Sequence, residues 1–286
     1  MRPSLERLFA QPPITGPDLA GIAWHPEGRC LTYLEREAPD EDAARDLWAF
    51  DLGTGERTCL LRGRDLHPPD RPEERLSLSG YQWLPDGALL LLHRSAAWRC
   101  SPAGDPAECL VESLDERVAP RIDPTGRRLA FIREGNLWVR DLAAGEERPL
   151  TGDGGEAVLN GVLDWVYWEE LANRRNWRAF EWSPDGSALA LLRLDCSGVP
   201  EYPLASWLEA HPEVRPQRYP NAGDPNPVPS VLIVSAEDGR VLNAARHEDD
   251  ACYAGPDLAW APDGSGVAWA RMPRDQKSLA LLLLPA

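Results

Sequence analysis

One short phrase recurs along the chain: an aromatic or apolar residue, a spacer, Pro, an acidic or polar residue, and Gly, followed by an apolar run. It reads Trp24-His25-Pro26-Glu27-Gly28 before Leu31-Thr32-Tyr33-Leu34, and Trp83-Leu84-Pro85-Asp86-Gly87 before Leu89-Leu90-Leu91-Leu92. A weaker copy is Ile122-Asp123-Pro124-Thr125-Gly126 before Leu129-Ala130-Phe131-Ile132. The clearest is Trp182-Ser183-Pro184-Asp185-Gly186 before Leu189-Ala190-Leu191-Leu192, and the last is Trp260-Ala261-Pro262-Asp263-Gly264 before Val267-Ala268-Trp269-Ala270. Proline presets φ, the acidic side chain bonds back to the backbone, and glycine accepts a positive φ, so the phrase sets a tight turn. With apolar residues on both sides it predicts a β-hairpin each time.

A second hairpin follows several of these turns. Asp46-Leu47-Trp48-Ala49-Phe50-Asp51-Leu52-Gly53-Thr54-Gly55-Glu56, Asn136-Leu137-Trp138-Val139-Arg140-Asp141-Leu142-Ala143-Ala144-Gly145-Glu146 and Ser230-Val231-Leu232-Ile233-Val234-Ser235-Ala236-Glu237-Asp238-Gly239 share that grammar. Two hairpins make a four-stranded antiparallel sheet, the blade of a propeller. The reading is therefore an all-β chain: a β-propeller, partial or open, with about five recognisable four-stranded blades. The interval from Pro85 to Pro124 is 39 residues, close to an uninterrupted blade of roughly forty. The other intervals are longer and imply insertions: an acidic loop near Pro39-Asp40-Glu41-Asp42, a Pro-rich loop over 66–75, and a long segment over 196–229. The final run, Leu279-Ala280-Leu281-Leu282-Leu283-Leu284, reads as a strand that needs a partner. An unpaired sheet edge invites association, so a missing domain, a partner chain or a homodimer is expected, and 1–286 reads as one incomplete propeller domain.

Composition excludes some functions. The formal net charge of −16 and pI near 4.8 argue against nucleic acid as a partner, since that needs basic surface. No apolar window is long enough for a membrane-spanning helix, and the N-terminus lacks the apolar core of a signal peptide. A cytoplasmic location is expected, or a periplasmic one if a leader precedes this sequence. The six cysteines form no C-x-x-C pair, so reduced core thiols are expected, with no metal site and no cofactor. The five histidines read as surface residues.

Between the third and fourth phrases the chain leaves the blade grammar at Asp164-Trp165-Val166-Tyr167-Trp168-Glu169-Glu170-Leu171. Good helix formers from Glu169 to Arg175 predict a short helix beginning near Trp168 that carries an acidic pair. In one reading this is a solvated helix face, with Glu170 paired to Arg174 at i,i+4. In the other it is a site for a small cationic group.

The run from Gly161 to Leu171, with Trp182-Ser183-Pro184-Asp185-Gly186 and Leu194-Asp195 after it, resembles the dipeptidyl peptidase IV family of prolyl oligopeptidase-type serine peptidases. Glu6-Arg7-Leu8-Phe9-Ala10 with Thr15-Gly16-Pro17, and the loop Tyr219-Pro220-Asn221-Ala222-Gly223-Asp224-Pro225-Asn226-Pro227, add to the likeness. The resemblance covers the family's propeller portion. It implies that Glu169 and Glu170 hold the free α-ammonium of a peptide while another domain releases an X-Pro or X-Ala dipeptide. It also implies an arginine for the substrate carbonyl, for which Arg94 and Arg99 are the candidates, though the local match is poor and Arg99 reads rather as an ordinary outward strand residue. The nucleophile elbow G-x-S-x-G of the expected α/β-hydrolase domain is absent from this sequence, so this chain alone is expected to be inactive. The alternative is a stand-alone propeller that serves as a protein-interaction module.

Overall fold

The computed structural model describes residues 4–8, 19–36, 44–102, 106–208 and 211–286. The predicted acidic loop at 39–42 and lead-in residues 9, 10 and 15–17 lie outside them. The chain divides into two compact units, Met1–Glu116 and Arg117–Ala286.

In the first unit one sheet runs β1 (Leu19–Trp24), β2 (Cys30–Arg36), β3 (Arg45–Asp51) and β4 (Arg57–Leu61), in that spatial order. A second sheet runs β5 (Gln82–Trp83), β6 (Leu89–His93), β7 (Ala96–Cys100) and β8 (Glu108–Val111). The second unit opens with a sheet of β9 (Arg121–Ile122), β10 (Arg128–Arg133), β11 (Asn136–Asp141) and β12 (Glu147–Pro149). Its next sheet contains β13 (Val158–Asn160), β14 (Phe180–Trp182), β15 (Ala188–Asp195), β18 (Val228–Ser235) and β19 (Val241–Arg246). Between β15 and β18, β16 (Glu201–Ser206) and β17 (Glu213–Arg218) form a separate two-stranded ribbon. The last sheet holds β20 (Cys252–Ala254), β21 (Ala259–Trp260), β22 (Gly266–Pro273) and β23 (Ala280–Pro285).

Every phrase forms its predicted turn. The glycines at 28, 87, 126, 186 and 264 have φ of +72°, +81°, +75°, +72° and +74°. Each donates its N–H to the carbonyl of the residue before the proline, at 2.8 to 3.0 Å. Asp86, Asp185 and Asp263 each accept the N–H two residues on, at 3.0 Å. These are type I turns fixed by an acidic side chain.

The strand after each turn has little alternation where both faces are covered. In β10 the four residues from Leu129 to Ile132 are fully buried, and in β15 Leu189, Ala190, Leu191, Leu192 and Leu194 are too. Such strands read as continuous apolar runs. β16 is exposed along its whole length, and its ribbon pairs Pro203 directly opposite Pro216.

The phrase tryptophans tie neighbouring sheets together. Trp260 donates its indole N–H to the Glu181 carbonyl, and Trp182 donates to the Arg121 carbonyl, both at 3.0 Å. Each donor belongs to one phrase, and each acceptor lies just before the equivalent position of the preceding phrase. In the first unit Trp83 donates to Thr32 Oγ1 at 3.0 Å.

All six cysteines are free, and burial pushes the Cys100 thiol up to about 12. The surface reading of the histidines fails at two positions. His93 is enclosed against the Ser77 N–H at 2.9 Å and beside Glu74. His247 packs on Trp269 and lies 3.4 Å from Cys252 Sγ. The residues that cover them come from other segments, Glu74 and Ser77 before β6 and Cys252 and Trp269 after β19, which local sequence does not reveal. Among the described residues no helix is long and apolar enough to cross a membrane.

The indole bonds carry a testable cost. Trp182→Phe keeps most of the buried ring but removes the indole bond to the Arg121 carbonyl, so it should destabilise the chain by about 1 kcal/mol. Trp182→Ala adds a cavity and should cost about 3–5 kcal/mol. Urea unfolding of the two variants checks the ordering; a negligible loss in Trp182→Phe would show that ring volume alone matters.

Candidate functional site

The acidic pair sits on an excursion of the second unit between β13 and β14. Backbone pairs close its base. Ala179 donates to the Gly161 carbonyl and Leu163 donates to the Trp177 carbonyl, both at 2.9 Å, with a bridge between Val162 and Arg178. Gly161 is required at the entry. Its φ is +75°, and a Cβ there would come within 3.2 Å of both Ile132 and Phe180.

Asp164 starts the helical segment. Its Oδ1 accepts the Tyr167 N–H at 2.9 Å, and its carbonyl accepts the Trp168 N–H at 3.0 Å. The segment then opens into a π-helical turn, Tyr167–Leu171, in which Ala172 donates to the Tyr167 carbonyl at 2.8 Å. The wide turn divides the residues between core and solvent. Leu163, Tyr167 and Ala172 join the core beneath. The Tyr167 ring is fully buried, its hydroxyl accepts the Ala254 N–H at 3.4 Å, and it meets Tyr253 edge-on. Tyr253 in turn accepts from Asn226 Nδ2 at 2.8 Å. The Tyr219-to-Pro227 loop singled out in the sequence therefore braces the anchor of the acidic turn.

Three indoles line the outer side. Trp168 stacks on Trp177 at 4.5 Å and 8°, and Trp165 meets both edge-on. Trp165 donates its indole N–H to Glu169 Oε2 at 2.9 Å. Glu169 Oε1 is ion-paired with Arg174. The Arg174 guanidinium and the Trp165 indole together hold the Glu169 carboxyl below its ordinary range. Glu170 is exposed, and nothing among the described residues pairs with it.

The two predicted site residues are thus adjacent but chemically unlike. The predicted Glu170–Arg174 pair is not formed; Arg174 goes to Glu169. The i,i+4 rule assumes an α-helix, whereas here the turn is wider and Asn173 and Arg174 follow in the left-handed region, with φ of +50° and +56°. That reversal lets the Arg174 N–H bond the Trp168 carbonyl at 2.8 Å and swings the side chain back. Arg94 and Arg99 belong to the first unit, where they pair with Glu74 at 2.8 Å and Asp86 at 2.6 Å. Arg99 is an outward strand residue, as its local pattern suggested. Sequence reasoning missed Asp164, Trp177 and Arg174 as parts of the site. An Asp three residues before Tyr167 was the one available signal, since it is a helix-start pattern.

A model of the dipeptidyl peptidase IV N-terminal region family matches residues 100–286, which include the whole excursion. The chain belongs to that family. Dipeptidyl-aminopeptidase B of Aspergillus niger is 37% identical over 186 residues, covering 56% of this chain and 20% of the relative. A probable dipeptidyl-aminopeptidase B of Penicillium rubens is 29% identical over 283 residues, covering 83% of this chain and 30% of its own length. The chain therefore spans about a fifth to a third of the curated relatives it matches. The crystal structure of Porphyromonas gingivalis dipeptidyl peptidase 4 shares the fold at a TM-score of 0.71 and 23% identity, covering 92% of this chain and 37% of that one. The all-β, propeller-type reading of the sequence holds.

Asp164 gives the site a pH signature. The carboxyl is buried with Oδ2 unpartnered, and burial raises it to about 6 against the bonds from the Tyr167 and Val166 N–H groups. The groups facing it, the Tyr167 hydroxyl and the Cys196 thiol, are pushed upward by burial and stay neutral. The folded chain thus holds this proton more tightly than the unfolded chain. The favourable contribution is fully present below about pH 4 and is lost as pH rises to about 6. Asp164→Asn cannot titrate. Its stability relative to wild type should rise by on the order of 3 kcal/mol between pH 4 and pH 7. A pH-independent difference between the two unfolding free energies would show that Asp164 does not titrate in this range.

Proposed function

We propose that this chain is the substrate-gating propeller part of a dipeptidyl peptidase IV-like serine exopeptidase, in which Glu169 and Glu170 hold the free α-ammonium of a peptide. One observation carries the reading: in a member of this family, two adjacent carboxylates stand on a turn anchored through Tyr167 in the core and walled by three indoles. An ammonium has three donors, and charged hydrogen bonds from two fixed carboxylates suit it. Fixing the peptide's N-terminus at one point sets how far the chain reaches toward a nucleophile elsewhere. That is catalysis by positioning, and it accounts for release of two residues. The nucleophile belongs to the α/β-hydrolase domain that the family pairs with this region.

A second reading, association with another chain, is favoured by the β16–β17 ribbon. It presents Tyr202, Leu204 and Val214 to solvent at 47%, 47% and 58% exposure.

The first reading is tested in a polypeptide that joins this chain to a hydrolase domain of the family. Glu170→Gln should lower kcat/KM on free-amine X-Pro substrates about 10- to 100-fold, the worth of a hydrogen bond between charged groups. N-acetylated analogues should be poor substrates for both proteins. Unchanged turnover of free-amine substrates in both Glu169→Gln and Glu170→Gln would refute the role; altered mass in solution for ribbon variants alone would support the second reading.

A further inference from the structure

The two glutamates are not equally available to a ligand. Glu169 already has a cation, Arg174, on Oε1 and the Trp165 indole N–H on Oε2. Within that ion pair the Glu169 side chain is 18% exposed and that of Arg174 is 63% exposed. The guanidinium therefore lies on the solvent side of the carboxylate, the side from which any other cation must arrive. We propose that Arg174 is a resident counter-ion of the acidic pair, and that a ligand's ammonium takes Glu169 Oε1 by displacing it.

The placement of Arg174 is built into the fold. Two consecutive non-glycine residues, Asn173 and Arg174, adopt the left-handed conformation. Asn tolerates it, but Arg does so only at a cost, so such a position persists where its surroundings hold it. Here the Arg174 N–H is bonded to the Trp168 carbonyl at 2.8 Å, and the guanidinium lies 6.0 Å from the Trp168 ring centroid. The neighbouring cations are engaged elsewhere: Arg175 with Asp257 and Arg178 with Glu181, both at 2.7 Å. Arg174 is thus the cation that the excursion directs to the acidic pair.

The arrangement is selective. A cation that meets one carboxylate gains little by exchanging with a tethered guanidinium. An ammonium that engages the unpaired Glu170 and Glu169 Oε1 together gains from both. Arg174 then sets the threshold a ligand must pass, and acts as a specificity-determining residue beside the two glutamates.

The inference rests on the reading of Glu169 and Glu170 as an ammonium site, and the test separates the two. Alanyl-prolinamide and its N-acetyl form are titrated calorimetrically into this chain as wild type, Arg174→Gln, Arg174→Gly and Arg174→Lys. Glycine suits the left-handed backbone at this position, so Arg174→Gly removes the charge without straining the turn. Arg174→Gln and Arg174→Gly should bind the free amine about fivefold more tightly, as expected for loss of a half-exposed competing ion pair. Arg174→Lys should bind as wild type does, and the acetylated probe should bind none of them. Weaker or unchanged binding by both neutral variants, with wild-type binding intact, would overturn the displacement and leave the ammonium site standing. Absence of amine binding by all four proteins would overturn both.

Discussion

The indole N–H of each phrase tryptophan is the interaction on which the second unit depends. A sheet of this kind satisfies its own backbone through its ladders, but nothing in a ladder fixes one sheet against the next. Trp260 and Trp182 do so by bonding the backbone of the preceding phrase, so one side chain supplies both a large buried ring and a directional bond. The acceptors are main-chain carbonyls, so the contact is indifferent to the side chain at the accepting position. That suits a fold assembled from divergent repeats.

Strand β14 lies at the centre of this scheme. It sends a bond back to the preceding phrase through Trp182 and receives one at Glu181, and it is also the strand to which the acidic excursion returns. Below the excursion, Tyr167 enters the core and Tyr253 ties it to the loop containing Asn226. The two carboxylates are therefore mounted on rigid sheet structure, as a site that must hold a small group at a fixed point requires. Asp164 belongs to the same mounting, and its unpartnered Oδ2 is a destabilising element retained directly beneath the site.

Much of this was legible in the sequence. The turn phrase names its own geometry, because Pro, Asp and Gly each serve a distinct local need, and the strand boundaries around Trp24, Trp83, Ile122, Trp182 and Trp260 follow. The acidic pair was also visible. The pairing of Arg174 was not: it depends on a π-helical turn and two left-handed residues, neither of which has a one-dimensional signature when no glycine marks the place. The contribution of Trp177 was hidden for a related reason. It lies nine residues from Trp168, and the two rings meet because the excursion folds back on itself. His93 and His247 were misjudged because the residues that cover them belong to other segments of the chain, and that packing leaves no local trace.

The β16–β17 ribbon carries large apolar side chains into solvent, and among the described residues no strand pairs with either outer edge, which in a small sheet would ordinarily invite strand-by-strand growth. Pro203 and Pro216 stand directly opposite one another in its register. Facing residues that exchange hydrogen bonds need an N–H on each strand, and proline has none, so this pair occupies the other kind of position, where backbone N–H groups point away from the partner. Each outer edge is thereby missing a donor near its middle. The ribbon can present its side chains without offering a template for endless strand addition.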